Sequence, residues 1–146
     1  MHFLRRYAVI LPAIAAVSFL SVSCSDSKIT QCQKIFQITN ETVNETKTVT
    51  NGGKNSSPEA LVKTADIWDK SAQGMTNIRV NDAKLKKFQA DFIRMYRDSS
   101  KATREYVAAL KKRDFPAVDA GFKKLQKAYS PEKDLVNAIN SYCSGK

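Results

Sequence analysis

The sequence predicts an all-α protein, an antiparallel bundle of four to five helices with one long central helix. Apolar residues recur at helical spacing in every segment beyond residue 30 that shows a period. Two Ser-Pro-Glu triplets, at residues 57–59 and 130–132, are typical of helix starts, with an N-cap, a first-turn proline and an acid. Short segments connect the periodic stretches, and short connections favour antiparallel neighbours.

The N-terminal residues 1–23 have the layout of a secretory signal peptide. Two arginines precede an apolar run from Tyr7 to Leu20, and the run ends in the small residues Ser21-Val22-Ser23. This run is too short and too interrupted to remain as a membrane span. We expect cleavage before Cys24 with acylation of that cysteine, as in lipoproteins. Cleavage by an ordinary signal peptidase stays open, because a lipobox prefers leucine where this chain has Ser21.

Cysteine parity favours acylation. The chain has three cysteines, Cys24, Cys32 and Cys143, which is an odd number for a secreted protein. Acylated Cys24 would leave the other two as a pair, and we predict a disulfide between Cys32 and Cys143 that joins the first helix to the last. Residues 24–30 are then a polar tether, and residues 31–146 form the bundle domain.

The first two helices are predicted over Gln31 to Thr50 and from Ser57 to near Ile78, with a loop at residues 51–56. The first is rich in threonine, so its intrinsic helix propensity is weak. Its expected inward stripe is Cys32, Phe36, Thr39, Val43, Thr46 and Thr50. The expected inward stripe of the second helix is Leu61, Ala65, Trp68, Ala72 and Met75.

The third helix is the longest, from Asp82 to about Arg113. Its inward residues follow a heptad pattern without a slip: Leu85, Phe88, Phe92, Met95, Ser99, Ala102, Tyr106 and Ala109. A fourth helix opens at Asp114-Phe115-Pro116 with Val118, Phe122, Leu125 and Tyr129 inward. A short last helix follows the second Ser-Pro-Glu triplet, with Leu135, Ile139 and Tyr142 or Cys143 inward.

Positive charge is concentrated on the third helix. Without the signal, 22 basic and 14 acidic residues leave a net charge of +8, and residues 83–113 carry ten basic and three acidic residues. Six of these acids and bases alternate in sign, which predicts a ladder of ion pairs along the helix: Lys87, Asp91, Arg94, Asp98, Lys101 and Glu105. The candidate binding face consists of the remaining outward cations Lys86, Arg97, Arg104, Lys111, Lys112 and Arg113.

This basic face indicates an anionic partner: an acidic protein, an anionic lipid or an acidic polysaccharide. The alternative interpretation is a solvated face that aids solubility. Nucleic acid is not expected for an exported chain whose basic column has no interleaved aromatic residues. Asp66 and Asp69 lie three residues apart and are too few for a calcium site, so we expect them at the surface.

No enzymatic activity, cofactor or metal is expected. The only histidine, His2, would leave with the signal, so the mature chain has no histidine for general-base or zinc chemistry. No glycine-rich pattern of a phosphate-binding loop is present.

Two stretches resemble a family of small uncharacterised cyanobacterial exported proteins: Phe88 to Ala108 and Tyr129 to Cys143. The resemblance implies a helical, membrane-tethered extracytoplasmic protein. We therefore expect a non-enzymatic protein anchored by lipid on the extracytoplasmic side (periplasm, lumen or cell surface) that binds an anionic partner or membrane surface. The alternative is a structural or accessory subunit of an extracytoplasmic or thylakoid-lumenal membrane complex.

Overall fold

The computed structural model describes residues 27–145, so the predicted signal and Cys24 lie outside the described residues. The described part of the chain is helical and contains no β-strand. Its helices are α1 (Lys28–Val49), α2 (Pro58–Asn77), α3 (Ala83–Lys112), α4 (Phe115–Tyr129) and α5 (Glu132–Ser144). The prediction of an all-α bundle with one long central helix is confirmed.

The five helices form four antiparallel limbs, because α4 and α5 together run back along α3. At the far end of α3, Phe122 of α4 packs against Tyr106, with ring centroids 6.0 Å apart. At the start of α3, the Tyr142 hydroxyl of α5 donates to the Asp82 carboxylate at 2.8 Å. With a rise of 1.5 Å per residue, the 30-residue α3 is about 45 Å long. We call the end of the bundle near Asp82 the disulfide end.

Side-chain caps fix where most of these helices begin. The Ser57 hydroxyl accepts from the backbone N–H of Ala60 and begins α2 as predicted. The Asp82 carboxylate accepts from the N–H groups of Lys84 and Leu85 and begins α3. The second Ser-Pro-Glu triplet behaves differently. The Ser130 hydroxyl bonds back to the carbonyl of residue 127, so α5 begins at Glu132 without a side-chain cap.

The first helix differs from its prediction in its start and in its buried face. It begins at Lys28, capped by the Ser27 hydroxyl, so three residues assigned to the tether are already helical. The buried residues are Gln31, Cys32, Ile35 and Thr42, whereas Val43, predicted inward, is exposed. Thr42 is buried because its hydroxyl hydrogen-bonds the Ser71 hydroxyl of α2 at 2.6 Å. Apolar periodicity does not detect such a contact.

The apolar core lies in the half of the bundle near the disulfide. Its fully buried large side chains are Ile35, Met75, Leu85, Phe92 and Ile139. The predicted stripes of α2 and α3 are buried there, apart from the half-buried Leu61 and Tyr106. Further along α3 the buried side chains become small, with Ser99, Ser100, Ala102 and Thr103 in succession along the helix. Small side chains allow the neighbouring helices to lie close to α3 in the half of the bundle away from the disulfide.

Close approach between α3 and α4 is set by Gly121, the buried residue of α4. A Cβ placed at residue 121 would lie 3.0 Å from the Cα atom of Tyr106. The contact face of α4 is therefore centred on glycine instead of on the predicted stripe. As a result none of the four predicted inward residues of α4 is buried, and Phe122 and Tyr129 remain 47% and 41% exposed.

Candidate anion-binding surface

Four residues of the predicted basic face lie on one line along α3. Lys86, Arg97, Arg104 and Lys111 are separated by eleven, seven and seven residues, and both spacings return to nearly the same side of a helix. All four are exposed. Lys86 and Lys111 lie about 37 Å apart along the axis at 1.5 Å per residue. A line of this length matches an extended anionic surface better than a small anion.

Arg104 is held by α2. One terminal nitrogen of its guanidinium, Nη2, lies 2.7 Å from a carboxylate oxygen of Asp66 and 2.7 Å from one of Asp69. Burial raises the pKa of Asp69, but hydrogen bonds from Arg104 and Ser100 outweigh it and hold this pKa below its ordinary value. The same contacts raise the pKa of Arg104. The sequence interpretation of both acids as surface residues was incomplete, because it missed their common partner.

Most of the predicted ladder along α3 is not formed. Only the pair Arg94–Asp91 forms within that helix in the part of the chain that the structure describes. Glu105 instead binds Lys124 of α4 at 2.8 Å, which lowers the Glu105 pKa. One of the three acids of α3 is therefore paired with the neighbouring helix α4 instead of with a cation of its own helix. More of its cations are left without a carboxylate than the sequence pattern suggested.

Several α3 cations have no ion pair among residues 27–145. They are Lys86, Lys87, Arg97, Lys101, Lys111, Lys112 and Arg113. Five of them belong to the predicted face, so only Arg104 is lost from it. Lys84 is engaged differently, because its ammonium lies 4.6 Å from the ring centroid of Tyr142. Surplus positive charge thus extends along α3 and ends in three consecutive cations.

Those three cations stand beside an exposed aromatic residue at the corner between α3 and α4. Arg113 ends α3 in the left-handed conformation with φ 56°, and Asp114 caps α4 through its carboxylate. The next residue, Phe115, is 76% exposed. From the sequence, Phe115 is assigned only to a helix start. The signal for its exposure is a large apolar residue that follows three cations and a capping aspartate and directly precedes a proline.

A groove of about 570 Å³ lies between α3 and the limb formed by α4 and α5. Met95, Pro131 and Leu135 contribute apolar surface. Its charged residues are of both signs: Asp91, Arg94, Asp98, Lys101, Glu105, Lys124 and Lys127. Because the acids and bases nearly balance, this groove is less selective for anions than the outward cations of α3.

The predicted cysteine pair is a disulfide in the structure. Cys32 at the start of α1 is bonded to Cys143 at the end of α5, with their Cα atoms 6.1 Å apart. Beside this bond, the side-chain amide oxygen Oε1 of the buried Gln31 accepts the backbone N–H groups of Asn81 and Asp82 at 2.7 and 3.1 Å. The two contacts tie α1 to α5 and to the start of α3.

Two further properties concern residues 27–145 as a whole. No helix there is long and apolar enough to cross a membrane. No three histidine, cysteine, aspartate or glutamate side chains there are grouped to hold a metal ion.

No protein family, curated protein or solved structure matches the chain.

Proposed function

We propose that this protein is a non-enzymatic, exported and lipid-anchored helical bundle that binds an anionic surface through the outward cations of α3. The observation that carries the proposal is the row of cations without ion pairs among the described residues. An anionic membrane attracts a nearby lysine or arginine by about 1 kcal/mol. Lys86, Arg97, Lys111, Lys112 and Arg113 together would contribute about 5 kcal/mol at most, which is enough for reversible binding.

Export and lipid anchoring rest on the sequence. The disulfide uses Cys32 and Cys143, so Cys24 is the one remaining cysteine of the chain and is free for acylation. A disulfide is compatible with an oxidising, extracytoplasmic compartment. The resemblance to small cyanobacterial exported proteins agrees with this location.

Charge reversal tests the proposal. Arg97→Glu with Lys111→Glu should abolish binding to vesicles that contain anionic lipid, and binding of the parent chain should weaken as salt is raised. Arg104 is left unchanged, because reversing it would place a third carboxylate beside Asp66 and Asp69. The matched control is Lys54→Glu with Lys133→Glu, two exposed lysines outside α3 that give the same change in net charge.

Every arm of this experiment carries Cys24→Ala, so that no acyl chain contributes to vesicle binding. Retention of full binding by the Arg97 and Lys111 variant would show that the basic face is only a solvated surface. Equal loss in the variant and the control would point to net charge alone, without a defined face.

A second candidate function is an accessory subunit of a membrane complex that docks through apolar surface. The exposure of Phe115, Phe122 and Tyr129 on α4 favours it. Co-purification with a complex from native membranes that resists high salt would support docking of this kind, because apolar contacts are not screened by ions.

A further inference from the structure

We propose that the corner between α3 and α4 is a membrane-insertion point, where Phe115 enters an anionic bilayer while Lys111, Lys112 and Arg113 bind lipid headgroups. This inference rests on the proposed function and names the anionic surface as lipid. An exposed aromatic side chain beside unpaired cations combines the two contacts that hold proteins at a bilayer interface.

The cations are clustered at the end of α3. Lys111 and Lys112 are the last two residues of the helix, where consecutive residues project about 100° apart, and Arg113 follows them in the left-handed conformation. All three are exposed, and none has an ion pair among the described residues. The three adjacent cations therefore present positive charge to a lipid surface that approaches this end of α3.

Nearby acids cancel only part of this charge. The Asp114 carboxylate accepts the backbone N–H of Ala117 at 3.1 Å and caps α4, and its negative charge offsets one of the three positive charges. The Asp119 carboxylate lies 2.7 Å from the Lys123 ammonium, one turn further along. Residues 111–114 therefore keep a net charge of +2.

The backbone holds Phe115 in place at the tip. The backbone N–H of Arg113 donates to the carbonyl of Leu110, and that of Asp114 donates to the carbonyl of Ala109, both at 3.1 Å. Together with the Asp114 cap, these bonds fix both helix ends at the corner. A fixed corner lets an exposed side chain enter a bilayer without ordering a loop first.

Two more aromatic residues follow Phe115 at intervals of seven along α4. Exposure falls from 76% at Phe115 to 47% at Phe122 and 41% at Tyr129. The inner parts of the latter two rings pack against Tyr106 and Trp68. Contact with a lipid surface is thus strongest at the corner and declines along α4, as expected for a bundle that inserts by its tip.

A bilayer fits this surface better than a second copy of the chain does. Contact between the corners of two copies would bring together six cations that have no ion pair. A stable dimer also needs about 800 Å² of buried surface from each partner. An acidic protein partner would satisfy the charges, and the experiment below distinguishes it from lipid.

The test is co-sedimentation of the full chain carrying Cys24→Ala with vesicles of phosphatidylcholine, alone or mixed with phosphatidylglycerol. Phe115→Ala should weaken partitioning into the mixed vesicles about tenfold, the loss expected for a largely exposed phenyl ring that becomes buried. Replacing Lys111, Lys112 and Arg113 by glutamine should strongly reduce the preference for the mixed vesicles, because three of the five outward cations are lost.

Ile29→Ala is the matched control, because Ile29 is 65% exposed and lies at the disulfide end of the bundle. It should leave partitioning unchanged. Unchanged partitioning of Phe115→Ala, with binding still lost on reversal of Arg97 and Lys111, would overturn insertion and leave the proposed function standing. If no variant affects binding, both fail. Capture of an acidic protein that depends on Phe115, without vesicle binding, would assign the corner to protein docking and overturn the lipid inference.

Discussion

The contact between α3 and α4 depends on Gly121, and a single methyl group at that position tests it. The added Cβ would lie 3.0 Å from the Cα atom of Tyr106 and 3.3 Å from its Cβ atom. Because backbone in the middle of a helix cannot move aside as a side chain can, the two helices must separate. Overpacking costs about 1–3 kcal/mol, and alanine gains about 1 kcal/mol over glycine in a helix. We expect Gly121→Ala to lower the free energy of unfolding by up to about 2 kcal/mol.

Gly74→Ala is the matched control, because it makes the same change on α2. Its Cβ would meet only the end of the Ile38 side chain, at 3.4 Å. We expect this variant to be more stable than the parent by up to about 1 kcal/mol. Urea unfolding followed by far-ultraviolet circular dichroism measures both variants. The reasoning is refuted if Gly121→Ala stabilises the protein as much as Gly74→Ala does.

Two further changes test the contacts that join distant segments. Replacing Cys32 and Cys143 by alanine, in the Cys24→Ala background, should lower the unfolding free energy by about 4 kcal/mol, because the bond closes a loop of 111 residues; an unchanged urea midpoint would contradict this. Asp69→Asn should cost at most about 1 kcal/mol, since the pair with Arg104 is largely exposed. Because the Asp69 pKa is lowered in the folded state, its contribution is present above about pH 4 and is lost as the pH falls below that. The urea midpoints of the variant and the parent should therefore converge in acid. Asp98→Asn is the control on α3, and it should leave the midpoint near that of the parent at neutral pH, because Asp98 is exposed and has no ion pair among the described residues.

Elements with a strong local signal were predicted well. The bounds of α2 and α3 follow from the caps Ser57 and Asp82, whose side chains bond the first free N–H groups wherever they precede an apolar period. The inward stripe of α3 is buried as predicted. Apolar residues that repeat every seven positions lie on one side of a helix, and a central helix packs that side against its neighbours. In these places, residues close in sequence determine the outcome.

The predictions were wrong or incomplete where the side that a helix turns toward the core depends on residues far apart in the chain. Gly121 turned the contact face of α4 away from its apolar stripe, and the close approach to α3 is visible only in three dimensions. In α1 the buried residue is Thr42 and not the predicted Val43, because the Ser71 hydroxyl of α2 hydrogen-bonds the Thr42 hydroxyl. Arg104 was assigned to a free column because its carboxylate partners lie 35 and 38 residues earlier. Periodicity gives the face of one helix but not the partner that the face meets.

The positions of the proposed anchor and the proposed insertion point restrict how the protein can sit on a membrane. The described chain starts at the disulfide end, whereas the corner at Phe115 lies at the other end of α3, about 45 Å away. Four residues from Cys24 to Ser27 span at most about 14 Å. An acyl chain on Cys24 and the side chain of Phe115 can therefore reach the same bilayer only if α3 lies nearly along its surface. If α3 stands upright instead, the corner lies about 45 Å from the anchored bilayer, and Phe115 could insert only into a second, apposed surface.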